Sequence, residues 1–206
     1  MPLLTTQSAR GYGFSSLVAP VSTTAYESIA TYVVSSPQGV ITLGSIPQTY
    51  KHLQVRITGR TSRSDYTIED INLQMNGDTG SNYTWHRMYS NPSVPTGGTA
   101  TTAASTSATY INSVGIMATA ASSTYMVGGA IIDILDYTNT NKYKTVKSIT
   151  GTDLNQEQNS TGVSGFTELM GGNWMNTAAI TSLSFSPTTG TNIIAPTHIA
   201  LYGIKG

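Results

Sequence analysis

Hydrophobic and polar residues alternate in several short stretches of this chain. In HLQVRIT, which starts at His52, every second residue is apolar, and DINLQMNG, which starts at Asp70, repeats the pattern. Successive side chains of a β-strand point to opposite faces, so this alternation predicts strands with one apolar face. The residues expected to face a core are Leu53, Val55 and Ile57 in the first stretch and Ile71, Leu73 and Met75 in the second.

Turn residues divide the chain from residue 26 onward into a series of such runs. No stretch of useful length has the spacing of an amphipathic helix, so the sequence predicts an all-β protein. With this many strands, two antiparallel sheets packed as a β-sandwich are expected, in jelly-roll order because that order suits eight or more strands. The predicted strands span residues 26–36, 39–46, 52–58, 70–77, 83–89, 110–118, 126–137, 143–151, 166–175, 180–187 and 197–206.

Residues 1–25 differ from the rest of the chain, because they mix Gly, Ser and Pro with isolated large side chains. We predict an N-terminal attachment arm here, followed by a β-sandwich domain over residues 26–206. The residues expected to make the arm's contacts are Arg10, Tyr12, Phe14 and Leu17. A disordered leader is the alternative interpretation.

Three connecting segments carry predictions of their own. Asn76 and Gly77 open the loop NGDTGSN with a strong β-hairpin signal. Residues 90–108 are mostly Ala, Ser, Thr and Pro, which predicts a long exposed loop. Residues 138–142, TNTNK, are expected to turn the chain so that the strands on either side pair with each other.

Composition narrows the classes of partner. The chain has 206 residues, its ten basic and ten acidic residues cancel, and only 10% of its residues are charged, against roughly 25% in typical soluble domains. A balanced charge gives no field that would attract nucleic acid or an anionic membrane. So few charges indicate a surface that is covered in an assembly, with a Thr-rich monomer as the alternative.

Other features exclude further classes. The chain has no Cys, which rules out disulfides and Cys-based zinc sites. Its first residues, MPLLTTQSARGYGFSS, lack the pattern of a signal peptide. No window approaches the length of apolar sequence that a membrane-spanning helix needs.

The acidic residues offer two candidate clusters for catalysis. Asp65, Glu69 and Asp70 surround the start of a predicted strand, where acids usually form turns or stand in solvent. Asp133 and Asp136 interrupt the apolar run AIIDILDY, and a carboxylate there must find a partner. A structural ion pair of Asp136 with Lys142 or Lys144, across the predicted hairpin, is the favoured interpretation.

Metal and cofactor signals are absent from the sequence. His52, His86 and His198 fall on different predicted strands without a metal-binding spacing. The chain also lacks a nucleophile elbow, a phosphate-binding loop and a dinucleotide fingerprint. We therefore expect no catalytic residue, no bound metal and no cofactor.

The aromatic residues suggest a binding surface. By strand parity Tyr83, Trp85, Arg87 and Tyr89 share one face of a single strand. Aromatic rings with polar neighbours suit sugar stacking or a protein contact. The alternative is that Trp85 fills the core, which is the expected role of Trp174 in GGNWMNT.

Several sequence blocks resemble a family of tailed-bacteriophage virion proteins that is frequent among marine and cyanobacterial phages. The blocks are SIPQTYKHLQVRITGR, NLQMNGDTGSNYTWHRM, AIIDILDYTNTNKYKTVKSITGTD, GNWMNTAAITSLSFSP and ALYGIKG, in this order. They cover about residues 40–206, and QSARGYGF in the N-terminal segment looks like an attachment arm. The resemblance implies a β-sandwich exposed on the particle, with no known catalysis and no catalytic residue to carry over.

Three functional hypotheses follow. The first is a non-enzymatic virion structural protein, a head decoration or a tail or fibre component, assembled in the host cytoplasm. Its expected partners are other virion proteins and further copies of itself, with a trimer as one form, and neither nucleic acid nor an inserted membrane. The second is a host-surface carbohydrate-binding module of a phage tail. The third, a polysaccharide depolymerase using Asp133 or Asp136, ranks last.

Overall fold

The computed structural model describes residues 25–90, 100–154 and 165–206, which form β-strands and no helix. The predicted all-β class is therefore confirmed. The twelve strands are β1 Tyr26–Val33, β2 Ile41–Leu43, β3 His52–Thr61, β4 Ile68–Met75, β5 Tyr83–Ser90, β6 Ala100–Ala108, β7 Ile111–Thr119, β8 Gly128–Leu135, β9 Lys144–Asp153, β10 Gly165–Trp174, β11 Leu183–Pro187 and β12 Ile193–Ile204.

Hydrogen bonding joins the strands into one mixed sheet that does not close. The main path runs β2-β11-β4-β7-β3-β8-β9-β10-β5-β6, while β12 pairs with β3 and β1 adds to β12. Within the described ranges, strand neighbours are antiparallel except β3 and β7, whose parallel pairing covers only Arg60–Thr61 against Ala118–Thr119. The β3–β7 junction is thus a short connection between two parts of the sheet. One part contains β2, β11, β4 and β7, and the other contains β3, β8, β9, β10, β5 and β6 together with β12 and β1.

The sheet folds over at this junction. In a flat sheet β7 and β9 would lie roughly 14 Å apart, three strand spacings. Instead the Ile116 amide donates to Thr150 Oγ1 at 2.8 Å, and Thr152 Oγ1 donates to the Ile116 carbonyl at 2.9 Å. Strand β7 therefore crosses directly over the face of β8 and β9, and the two parts of the sheet enclose a core.

The core is built from the faces that the alternation predicted. All six residues expected to face inward are buried: Leu53, Val55 and Ile57 on β3, and Ile71, Leu73 and Met75 on β4. Trp174 is also buried, as expected, although it ends β10 instead of standing beside a turn. Its ring stacks against Tyr83, with centroids 6.4 Å apart.

The finer topology prediction is not confirmed. Two separate antiparallel sheets in jelly-roll order would lack the β3–β7 pairing that makes the strands one sheet. Alternation along a strand reports which residues are buried, and it contains no information about which strands pair. The hairpin of β8 and β9 across residues 138–142 was predicted and is present.

Two loop predictions are wrong. Residues 100–108, expected in a loop, form β6 and pair with β5, while residues 91–99 lie outside the described residues. At the other loop, Asn76 and Gly77 adopt positive φ of 53° and 66° in a tight turn. Yet β4 and β5 do not pair, because β4 continues against β11 and β7 while β5 joins β10 and β6. The dipeptide sets the turn and not the partner.

The described residues contain no helix that is both long and apolar enough to span a membrane.

The crossing of β7 over β8 predicts a sharp difference between two glycines. A Cβ on Gly128 would lie 2.0 Å from the Ile116 carbonyl oxygen, whereas one on Gly171 would meet nothing within 4 Å. We expect Gly128→Ala to lower the free energy of unfolding by about 3 kcal/mol, because backbone must move to admit the methyl group. Gly171→Ala should change it by less than about 1 kcal/mol. Urea denaturation of both variants measures this, and equal effects would contradict the crossing.

Candidate functional site

The structure places the predicted β5 residues in two different environments. Arg87 lies between two rings, with its guanidinium carbon 5.7 Å from the Trp85 ring centroid and 5.0 Å from that of Tyr89. Trp85 is partly buried and packs against the core. The shared face thus brings Trp85, Arg87 and Tyr89 into contact, at the opening between the two parts of the sheet.

Tyr83 belongs to the core and not to a binding surface. Its side chain is fully buried, and its hydroxyl donates to the Asp78 carbonyl at 2.9 Å and accepts from the Met75 amide at 3.1 Å. Burial raises the pKa of Tyr83 to about 12. A ligand outside the molecule cannot reach this side chain, so the sequence prediction of a contact residue at Tyr83 is wrong.

Arg87 joins three strands through its charge. Its Nη1 lies 3.0 Å from Asp70 Oδ2 on β4 and 3.3 Å from Glu168 Oε2 on β10. The Glu168 side chain has no exposed surface. Burial raises the pKa of Glu168 to about 7, against the opposing effect of the positive charge on Arg87. The guanidinium therefore stabilises an interior carboxylate and bridges the two parts of the sheet.

These two carboxylates do not form a glycosidase pair. Asp70 and Glu168 converge on the Arg87 guanidinium and not on open space, and Glu168 is closed to any substrate. Glu69, which was expected in solvent, is also buried, and its carboxylate accepts from the Thr189 amide at 3.0 Å and from the Thr191 hydroxyl at 2.5 Å. The solvated placement was wrong because the β11–β12 connection covers this part of β4.

The other acidic pair is structural as well. Asp136 forms the predicted ion pair with Lys142 and a second one with Lys51 at 3.1 Å, and these lysines lower its pKa to about 2. Lys144 does not pair with Asp136. It is fully buried and donates instead to backbone carbonyls, among them that of Thr177 at 2.9 Å. Asp133 accepts from the Gln54 side chain at 2.8 Å.

A cleft of about 230 Å³ opens beside Arg87. Tyr89 and Phe166 stack on one side of it with centroids 5.0 Å apart, and Arg63 lies over the Tyr66 ring at 4.9 Å. Sequence reasoning missed Tyr66 and Phe166, because they stand on other segments and only the strand pairing brings them to β5. The lining residues that carry polar or aromatic groups are Arg63, Tyr66, Glu69, Asp70, Arg87, Tyr89 and Phe166.

This cleft combines the groups that bind sugars and polar peptides. Aromatic faces bury the apolar face of a pyranose or an extended chain, while charged groups fix hydroxyls by hydrogen bonds. Asp70 and Arg63 keep part of their side chains exposed and can serve in that role. Among the described lining residues, the arrangement supports binding and offers no accessible acid–base pair.

A second surface lies on the outer face of the sheet. Four large apolar side chains stand in cross-strand register there: Ile131 opposite Ile149, Ile149 opposite Leu169, and Leu169 opposite Met88. Their exposed fractions are 47%, 62%, 49% and 50%. We name these four residues the apolar row. Sequence reasoning missed it, because the row exists only across strands.

The remaining candidates do not converge. The three histidines stand on β3, β5 and β12, and the described ranges contain no group of three or more His, Asp or Glu arranged to hold a metal ion. Arg10, Tyr12, Phe14 and Leu17 of the predicted arm lie outside the described residues.

Comparisons with known proteins identify no family. No protein-family description and no curated protein sequence matches the chain. Among solved structures, a Shewanella oneidensis protein of unknown function aligns at 10% identity and a TM-score of 0.20, over 87% of this chain and 75% of that one. The CBM2 module of an evolved Dit protein from a Lactobacillus casei phage aligns at 7% and 0.17, over 81% and 69%. An infectious bursal disease virus structure aligns at 9% and 0.15, over 85% and 41%. These scores are too low to establish a common fold.

The raised pKa of Glu168 predicts how stability depends on pH. The folded chain keeps the Glu168 proton up to pH of about 7, whereas the unfolded chain loses it near the ordinary glutamate pKa of 4.5. The free energy of unfolding should therefore fall as pH rises through this window, by about 3 kcal/mol at most. Glu168→Gln should remove this slope in urea titrations at pH 5 and 8. Asp65→Asn serves as control. The pKa of Asp65 is lowered from its ordinary value of 3.8, so this carboxylate stays ionised between pH 5 and 8 and adds no slope there. A slope unchanged in Glu168→Gln would contradict the assignment.

Proposed function

We propose that the chain is a non-enzymatic structural protein of a bacteriophage particle, exposed as a head decoration or as a tail or fibre component. The observation that carries the proposal is the apolar row, four half-exposed apolar side chains in one line on a regular sheet. Contiguous exposed apolar surface of this kind is typical of a face that packs against protein. A packing face on an all-β body suits a protein that works by assembly.

The sequence resemblance supports the same proposal. Its blocks fall on β3, on β4 and β5, on the β8–β9 hairpin, on β10 and β11, and on the end of β12. They therefore describe the folded body and not a single motif. In this proposal the folded-over sheet acts as a β-sandwich domain over residues 26–206, and residues 1–25 anchor it to the particle.

The proposal also names the protein's binding partners and its location. Other virion proteins, of the capsid or the tail, receive the arm, and further copies of the chain cover its weakly charged surface. A trimer is one such assembly. The protein assembles in the host cytoplasm and ends in the virion, and its role needs no catalytic residue, cofactor, nucleic acid or membrane insertion.

The cleft beside Arg87 favours a second candidate function, recognition of a host-surface carbohydrate. Its stacked pair of Tyr89 and Phe166, with Tyr66 and Asp70 also lining the cleft, matches the chemistry of sugar binding. Trp85 contributes through Arg87, which it contacts, and not as a free platform.

Removal of residues 1–25 tests the structural proposal. We expect the shortened chain to keep its circular dichroism spectrum and melting temperature, because the cut falls before β1 begins at Tyr26. Its copy number in purified particles, measured by quantitative mass spectrometry, should drop to background while the full chain is incorporated. Normal incorporation of the shortened chain would end the anchoring role, and absence of the full chain from particles would end the structural proposal.

A glycan array tests the carbohydrate proposal. The intact protein should bind a host-surface polysaccharide, and Tyr89→Ala should weaken binding by about tenfold, because it removes one stacking face from the cleft. Tyr125→Ala is the matched control, since this tyrosine is almost fully exposed and lies outside the cleft. This function would be contradicted if the intact protein did not bind host lipopolysaccharide, or if the Tyr89→Ala variant bound as well as the control.

A further inference from the structure

Three glycines on the outer face have no explanation within the described residues. Gly129, Gly151 and Gly171 lie inside β8, β9 and β10, and none needs a positive φ. A Cβ on Gly129 or Gly151 would meet only a carbonyl oxygen, at 4.0 Å and 3.7 Å, and one on Gly171 would meet nothing within 4 Å. A glycine inside a strand weakens the strand, and it often marks a place where another backbone approaches closely.

Glycines on the inner face show the contrast. A Cβ on Gly128 would collide with the β7 backbone, and one on Gly172 would come within 2.7 Å of the Ile111 side chain. Those glycines are required by close packing inside the molecule. Gly129 and Gly151 face outward and have open space above them within the described residues, so a close neighbour that would explain them comes from another molecule.

Gly129 and Gly151 form a furrow beside the apolar row. They are cross-strand partners, Thr58 stands opposite Gly129, and Thr167 stands opposite Gly151. We name these four residues the glycine furrow. A shallow depression of about 500 Å³ lies along it, bounded by Ile131 and Ile149 of the apolar row. The row and the furrow run side by side, two residues apart along each strand, which is roughly 7 Å.

The apolar row and the glycine furrow run over the same three strands, β8, β9 and β10, and along these strands they are complementary to a second copy of the same face. Consider a two-fold axis that lies in the plane between two facing copies, parallel to the row and the furrow and midway between them. This axis places the apolar row of each copy over the furrow of the other. The strands of the two copies then align, as they do when sheets pack face to face. We infer that a second copy of this chain docks face to face here, with Ile131, Ile149 and Leu169 of each copy seated on the partner's glycine furrow.

Area and charge agree with this partner. The face from β3 to β6 is about 24 Å wide, and three rows of residues extend about 20 Å along the strands. Two such faces bury roughly 1,000 Å², about the minimum area expected of a biological interface. Asp133 and Lys147 in the next row are cross-strand partners of opposite charge. Arg56 is the cross-strand partner of Ile131 and lines the depression, and its guanidinium carbon lies 5.2 Å from the Tyr202 ring centroid.

The inference rests on the proposed structural role, which it deepens by naming one partner of the outer face. Its test uses the full purified chain in sedimentation velocity experiments from low to high micromolar concentration. We expect a dimer for the natural sequence. Ile149→Lys should raise the dimer dissociation constant by about a hundredfold, because it would bury an unpaired charge. Val40→Lys is the matched control, with an exposed fraction of 56% against 62% for Ile149, and should have no effect.

A second variant tests the furrow separately. Gly151→Val should also weaken the dimer, because its side chain fills the furrow, while the separate chain accepts a Cβ at this position. Melting temperatures of the variants at low concentration verify that each remains folded. A monomer at every concentration, a trimer, or a dimer that tolerates both Ile149→Lys and Gly151→Val would overturn the inference.

The two proposals fail independently. A chain that is monomeric in solution but present in particles would overturn the dimer and leave the structural role intact. A dimer that is absent from particles would overturn the structural role and leave the docking face as a property of the isolated chain.

Discussion

The rest of the structure depends on how β7 satisfies its buried backbone at Ile116. This strand pairs with β4 along one edge, but its other edge meets β3 only at Ala118 and Thr119. An unpaired buried amide or carbonyl costs free energy comparable to a lost hydrogen bond. The hydroxyls of Thr150 and Thr152 take the place of a strand partner and bind the Ile116 amide and carbonyl. Because the hydroxyls reach upward from the face of β9, β7 must cross that face, and the sheet has to fold over.

Three of the chain's few charged side chains are bonded inside the folded-over sheet. Where the two parts of the sheet separate, Arg87 spans the opening and pairs with Asp70 and, above pH of about 7, with ionised Glu168. Near the junction, buried Arg60 donates to the carbonyls of Thr119 and Ser122 and holds the β7–β8 connection. At the far side, Lys144 ties the hairpin turn to the residues after β10. Cations bonded to backbone carbonyls in this way fix loops that have no apolar residues to pack. An already weakly charged chain thus places several charges in its interior, and the outer face around the apolar row keeps few, among them Arg56, Asp133 and Lys147.

Sequence reasoning recovered what is local and missed what is not. The period of two on β3 and β4 identified both strands and their buried faces, since burial of one face is all that the pattern requires. The composition of β6 concealed it, because Ala, Ser and Thr on both faces give no alternation at the edge of a sheet. Asn76 and Gly77 fixed a turn but not the pairing of the strands on either side, since β5 pairs with β10, where the Trp174 indole donates to Asp78 at 2.7 Å. For the cleft, the β5 residues were visible by parity, whereas Tyr66 and Phe166 could be found only from strand order.

The two faces of the β8–β10 region can be compared by the same physical rule. On the inner face, Gly128 admits the β7 backbone at a distance that any side chain would prevent, and hydroxyls beside it bind that backbone. One residue further along the strand, Gly129 presents the same absence of a side chain to the opposite face, next to Gly151 and between two threonines. The cost of a glycine inside a strand is the same on either face. Since the inner glycine is explained by a close neighbour, an equal explanation for the outer pair requires a neighbour of similar closeness, and the apolar row beside it has the shape and chemistry to supply one from a second copy.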